Sequence, residues 1–352
     1  MILDVQLILK IAAALLTAAV VSCSATPLIK LLARKVGAMD IPKDERRMHH
    51  QPIPRMGGLA IFLGFMVSFL IFGREMFSTQ IRGILLGAVM IVILGILDDI
   101  LTLKALPKFA VQIVAAIIVV SHGCRIDNFM GIVFPVWLSY IVSIIWILTI
   151  TNAVNFIDGL DGLAAGVSAI SAGTMLVVSL LLAGGTNFEA TTSALILAAI
   201  FGGCVGFIPY NFNPASIFMG DTGSTFLGFM LASVSIFGLF KTYALISFAA
   251  PFLVLGLPLF DICFAVIRRV AKGQSPMHAD RGHLHHRLID MGLSQKQAVA
   301  ISYLISAVLG LSAVVLTDSG GMQTVIFLVA VAIVGFIAFR LIFTHHHKNG
   351  GQ

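Results

Sequence analysis

The chain has 352 residues, of which 59% are hydrophobic and 11% charged, with a mean hydropathy of +1.03. Soluble domains carry about 25% charged residues, so this composition excludes a soluble globular protein and points to a polytopic membrane protein. The net charge of +6 is concentrated in particular loops, as membrane topology requires, and does not argue for a nucleic-acid partner.

A spanning helix needs about 20 apolar residues. Apolar runs between polar breaks predict eleven spans: 5–32, 57–73, 80–97, 109–122, 135–150, 163–183, 191–209, 224–240, 245–267, 298–316 and 323–343. In the first run, Val20-Val21-Ser22-Cys23 loosely resembles a lipoprotein cleavage box. Asp4 precedes any basic residue, however, and the run continues past Cys23, so a retained helix is expected. The expected fold is all-α, a single transmembrane domain over 1–352, with the N-terminus outside and the C-terminus cytoplasmic. In that threading the inner loops are 33–56, 98–108, 151–162, 210–223 and 268–297, and the tail from 344 is also inside. The inner regions, counting Lys30 and Arg340, hold 17 of the 22 Lys and Arg residues, which is the positive-inside asymmetry. The four cysteines form no CxxC pair and read as small apolar residues.

Polar residues in such a chain need a reason, since an Asp at a helix centre costs roughly 2.5–3.5 kcal/mol. The first inner loop is basic and Pro-rich. It suits a positive-inside anchor or a phosphate-binding lip with Lys43 and Arg55 as candidates. Asp98 and Asp99 are adjacent acids, and two adjacent carboxylates do not both stay ionised cheaply without a cation such as a metal or Lys108. Asn152, Asn155, Asp158 and Asp161 recur every three residues, so neighbours on a helix lie about 60° apart. Gly159 and Gly162 also permit a loop or a tight backbone approach there. Amide and carboxylate oxygens so placed suit Mg²⁺, which takes a few protein oxygens plus substrate phosphates.

Gly220-Asp221-Thr222-Gly223-Ser224 opens an apolar helix, where free N–H groups favour an anion and Asp221 would be a metal ligand. Asp261 lies inside an apolar run as a functional candidate or a helix-packing hydrogen bond. His278, Arg281, His283, His285 and His286 lie in the longest inner loop. Phosphate or sugar recognition, a structural turn and zinc all remain open for them, although the spacing is not a zinc-finger or HExxH pattern.

These residues together resemble the polyprenyl-phosphate N-acetylhexosamine-1-phosphate transferases. The matching pieces are PRMGG at 54–58, LDD at 97–99 with Lys108, NAVNFIDGLDGLA at 152–164, GDTGS at 220–224 and HADRGHLHHRL at 278–288. The resemblance implies a multi-pass enzyme of the cell membrane with a cytoplasmic active site. It would transfer a sugar-1-phosphate from a UDP-N-acetylhexosamine to undecaprenyl or another polyprenyl phosphate, releasing UMP, with Mg²⁺ or Mn²⁺ as substitute. Carried over, Asp221, Asn155 and Asp98 are implied metal ligands, and Asp98, Asp99, Asp158 and Lys108 the catalytic group. Asn152, Asp161, Arg55, Arg281, His283, His285 and His286 are implied to bind substrate. The muramoyl-pentapeptide branch resembles PxHHHxE instead, so the HxHH form here favours UDP-GlcNAc and a teichoic acid or O-antigen initiating role. Membrane lipids are implied partners, and a homodimer is left open. The rival class is a cation-coupled transporter, which would place ionisable residues near the bilayer midplane on broken helices.

Overall fold

The structure is a computed structural model that describes residues 5–41, 51–129, 132–183, 187–239, 251–271 and 284–319. Lys43, His278, Arg281, His283 and the expected span 323–343 lie outside the described residues.

The chain folds into helices α1 (Val5–Val36), α2 (Gly58–Phe72), α3 (Thr79–Leu101), α4 (Ala105–Ser121), α5 (Val136–Phe156) and α6 (Leu163–Ala183). They are followed by α7 (Phe188–Asn211), α8 (Gly220–Val234), α9 (Gly256–Ala271), α10 (Leu284–Asp290) and α11 (Gln295–Ser319). Two short antiparallel strand pairs join β1 (Met39–Asp40) to β2 (Ile53–Pro54) and β3 (Asn128–Phe129) to β4 (Ile132–Val133). Among the described residues, six helices are long and apolar enough to cross a membrane: α1, α3, α5, α6, α7 and α11. Among the described residues the shorter apolar helices are α2, α4 and the segment Gly256–Ile267 of α9. This is an all-α membrane architecture.

Two expected inner loops are smaller than the sequence suggested. Helix α3 continues through Asp98 and Asp99 to Leu101, and α5 continues through Asn152 and Asn155 to Phe156. Hydropathy treats a charge as the end of a span. Here the polar side chains find partners on neighbouring helices, so the backbone has no cause to leave the helix. Pro107 does not delay α4, because it lies in the first turn, where no intrahelical N–H is lost.

Helix α8 is the centre of the bundle. Thr222–Val234 is buried on every side, and α3 and α5 pack along it. A helix that is apolar all round belongs in such a position. Helix α1 lies at the periphery, with Leu9, Leu16, Leu28 and Leu31 exposed where lipid would cover them. Its inner side meets α7 through small residues. A Cβ on Gly202 would lie 2.1 Å from the Leu15 carbonyl oxygen, and one on Gly206 2.2 Å from that of Ala19. Close helix approach at glycines spaced four apart substitutes for the hydrophobic effect in lipid. Buried hydroxyls add links: Ser22 Oγ donates to the Gly203 carbonyl at 2.8 Å and Ser68 Oγ to that of Ala14 at 2.7 Å.

Candidate active site

The site forms where the ends of α3 and α5 meet the starts of α4, α6 and α8. The N-terminus of α8 is placed by backbone contacts. Phe218 N–H donates to the Pro54 carbonyl at 2.8 Å, and the Gly57 and Gly58 N–H groups donate to the carbonyls of Phe218 and Met219 at 2.9 and 2.8 Å. The PRMGG segment therefore acts as a backbone clamp on the GDTGS segment. Between them Met56, fully buried, holds φ at +95°, a conformation that favours glycine and persists only where the surroundings enforce it. Helix α3 approaches as closely, since a Cβ on Gly95 would lie 2.4 Å from Thr222 Cα.

Asp99, one helical turn beyond Gly95, caps α8. Its Oδ1 accepts from Asp221 N–H at 3.0 Å, and its Oδ2 accepts from Thr222 N–H at 3.1 Å and Thr222 Oγ1 at 2.6 Å. A carboxylate at a helix N-terminus satisfies donors that have no partner within the helix and complements the helix dipole.

Asp98 faces the other way. Its Oδ1 accepts from Leu103 N–H at 2.6 Å, and its Oδ2 accepts from Lys108 Nζ at 2.8 Å. The same ammonium donates to Asp221 Oδ2. Lys108 thus bridges two carboxylates that lie 123 positions apart in sequence by the numbering of Asp98 and Asp221. Asn155 Nδ2 donates to Asp221 Oδ1 at 3.2 Å and to Ser224 Oγ at 2.8 Å, which turns its amide toward the start of α8.

A cavity of about 810 Å³ opens beside this cluster, lined among others by Arg55, Asp99, Asp158, Asp161, Asp221 and His286. Asp158 lies in the turn between α5 and α6. Desolvation in the cavity wall, reinforced by the charges of Asp221, Asp99 and Asp161, holds its carboxyl well above the ordinary carboxylate range. Asp161 is fixed by two donors on its Oδ2, Asn213 Nδ2 at 2.9 Å and Ala215 N–H at 3.0 Å. Asn213 also donates to Gln295 Oε1 at 2.8 Å, and Tyr303 Oη donates to the Gly162 carbonyl at 2.6 Å. Helix α11 therefore pins the Asp158–Gly162 turn from behind.

The sequence-derived residues divide accordingly. Asp98, Asp99, Lys108, Asn155 and Asp221 form one hydrogen-bonded cluster, and Asp158, Asp161, Arg55 and His286 line the adjoining cavity. Arg55 also donates from Nε to the Asp99 carbonyl at 3.1 Å and from Nη2 to Thr102 Oγ1 at 3.2 Å. Asn152 instead donates to Gln112 Oε1 on α4 at 2.8 Å, while His285 lies on α10. Asp261 has a structural part: its Oδ1 accepts from Leu284 N–H at 2.7 Å and so caps α10, the helix that carries His286. Gln112, Asn213, Gln295 and Tyr303 escaped the sequence reading. Gln112 alone left a visible signal, as an amide in an apolar run four residues after Lys108.

The donor set fits a hard divalent cation. Among the described residues, no three His, Cys, Asp or Glu side chains form a ready-made cage. Asp98, Asp221 and Asn155 offer two carboxylates and one amide, and the Lys108 ammonium already marks a cation position between the acids. Mg²⁺ favours such partial sets, completed by water and phosphate oxygens, over all-protein cages.

Residues 81–239 match the family model described as glycosyl transferase family 4. A probable undecaprenyl-phosphate N-acetylglucosaminyl 1-phosphate transferase of Bacillus subtilis is 40% identical over 300 residues, covering 84% of this chain and 81% of that protein. The decaprenyl-phosphate N-acetylglucosaminephosphotransferase of Mycolicibacterium smegmatis is 36% identical, covering 93% and 87%. The chain belongs to the polyprenyl-phosphate N-acetylglucosamine-1-phosphate transferase family. A more distant relative of this transferase family, from Haemophilus influenzae, is named undecaprenyl-phosphate alpha-N-acetylglucosaminyl 1-phosphate transferase and is 30% identical over 79% of each chain. The region matched by the family model contains every member of the Asp98–Lys108–Asp221 cluster and the Asp158–Gly162 turn. Arg55 and His286 reach the transferase cavity from outside that region.

Proposed function

We propose that the protein transfers N-acetylglucosamine-1-phosphate from UDP-GlcNAc to a polyprenyl phosphate at the cytoplasmic membrane face, releasing UMP and starting a cell-envelope polysaccharide. The observation that carries this reading is the convergence of Asp98, Lys108, Asn155 and Asp221, from four separate helices, beside a cavity large enough for a nucleotide sugar. The names of the relatives supply the acceptor and the sugar. The distribution of Lys and Arg around the eleven expected spans supports an orientation with the site on the inner side.

In the direct form of this reaction an oxygen of the lipid phosphate attacks the phosphorus bonded to the sugar. In the two-step alternative an enzyme carboxylate such as Asp158 attacks first and is then displaced by the lipid phosphate. A new P–O–P linkage forms, the bond to the bridging oxygen of UMP breaks, and UMP leaves with that electron pair. Phosphoryl-type transfer depends mainly on positioning and charge neutralisation. Asp98 orients the acceptor phosphate and takes up its proton where one is present. Lys108 neutralises phosphate charge, and Asp158 and Asp161 orient the donor from the cavity wall. Asp221, Asn155 and Asp98 would hold Mg²⁺, with Mn²⁺ as substitute. When bound, such a cation neutralises the diphosphate and stabilises the leaving phosphate.

Purified protein incubated with radiolabelled UDP-GlcNAc, polyprenyl phosphate and Mg²⁺ is expected to yield a labelled lipid diphosphate. Asp221→Ala is expected to abolish it while the protein still inserts. Uptake of label into vesicles with no lipid product would replace the transferase reading with transport.

A further inference from the structure

The cavity has a second pole that the transfer chemistry above does not use. Six aspartates line its wall, against three fixed cations, Lys30, Arg34 and Arg55. Arg55 is committed to the Asp99 carbonyl and Thr102. Lys30 and Arg34 project from the last turns of α1. Four residues apart, they lie on one helix face. The end of α1 is fixed beside the cavity. Ala38 N–H donates to the Ala33 carbonyl at 2.9 Å, closing the helix, and Arg55 N–H donates to the Ala38 carbonyl at 3.0 Å. The β1–β2 pair then ties this end to PRMGG. Among the described residues, neither the Lys30 nor the Arg34 side chain makes an ion pair or hydrogen bond. Membrane topology needs cations at this end of α1, and Lys35 on the same turn meets that need without lining the cavity. It does not require two of them to face a wall of carboxylates.

We propose that Lys30 and Arg34 form an anion subsite that binds a phosphate group of one of the two substrates. An uncommitted lysine and arginine in a partly enclosed wall suit a phosphate, the arginine through its planar fork and the lysine as a point charge. The phosphate comes either from the nucleotide diphosphate or from the lipid headgroup. The proposal rests on the transferase reading and extends it to residues outside the matched family region.

The test measures KM for UDP-GlcNAc and for polyprenyl phosphate separately in the full-length protein. The variants are Lys30→Ala/Arg34→Ala and the conservative pair Lys30→Arg/Arg34→Lys. Loss of charge-assisted contacts is expected to raise one KM by about 10- to 100-fold, with a much smaller change in kcat, and the conservative pair to recover most of it. A raised KM for UDP-GlcNAc with weaker inhibition by UMP assigns the subsite to the nucleotide. A raised KM for the lipid alone assigns it to the headgroup. If the wild type forms lipid product and neither KM moves, the subsite is wrong while the transferase reading stands. If the wild type forms none, the transferase reading itself fails. A second measurement needs no variant: amine-reactive labelling of Lys30 in the wild type, read by mass spectrometry. Protection by UDP or by a short-chain prenyl phosphate is expected, and protection by neither would overturn the proposal.

Discussion

At the scale of single residues, the two adjacent acids of α3 do different work. Asp98 shares the Lys108 ammonium with Asp221, whereas Asp99 is occupied by three donors at the start of α8. Thr222→Val removes the shortest of those three bonds and should cost about 1 kcal/mol of stability. Asp99→Ala leaves two backbone N–H groups unsatisfied and should cost more, with turnover falling further than in Thr222→Val. Thermal midpoints and initial rates in detergent measure both, and equal losses would remove the capping role. Asp158 supports a pH prediction. Its folded carboxyl titrates above the unfolded value of about 4, so the folded state binds the extra proton and stability falls as pH rises from there through the folded pKa. In metal-free solution the midpoint of the wild type should therefore drop with rising pH more steeply than that of Asp158→Asn. Parallel pH profiles would show that Asp158 is not perturbed. The sequence made these acids visible as misplaced charges, but it could not assign their partners, because Asp99 and Thr222 are brought together only by the packing of α3 on α8.

At the scale of elements, the site depends on how closely helix ends approach. Gly95→Ala places a methyl carbon 2.4 Å from Thr222 Cα, a backbone atom that cannot rotate aside. Helix α3 must then shift from α8, carrying Asp98 and Asp99 with it. The expected result is loss of most turnover in a protein that still inserts, since misplacement by about 1 Å can cost 100-fold in rate. Near-normal turnover would show that the contact can relax. Helix α10 has only seven residues and draws support from the Asp261 cap. Asp261→Ala should cost about 0.5–2 kcal/mol locally and raise KM for the nucleotide sugar, with Asp261→Asn milder because it keeps an acceptor. An unchanged KM in the alanine variant would separate α10 from substrate binding. Hydropathy located these elements well where apolar runs are long, and it truncated α3, α4 and α5 where polar residues are paired across helices. Gln112 with Asn152 and Asn213 with Asp161 and Gln295 are such pairs, and no local pattern announces them.

At the scale of the whole molecule, the alternation of helix direction explains why distant motifs meet. Asp98 and Asn155 close α3 and α5, Lys108 and Asp221 open α4 and α8, and the Asp158–Gly162 turn opens α6, so up-and-down threading delivers all of them to one end of the bundle. The hydrogen bonds among them demonstrate that shared end. The proposed placement of that end on the inner side rests on the positive-inside asymmetry. It has a direct consequence. Trp137 lies at the start of α5, at the end opposite Asn155, and Met291 follows α10 near the cavity; both are exposed, at 64% and 52%. In sealed, right-side-out vesicles and a background without the four native cysteines, Trp137→Cys should react with a membrane-impermeant maleimide. Met291→Cys should react only after the vesicles are opened. The reverse pattern would place the acids on the outer face, where a cytoplasmic nucleotide sugar has no access to them.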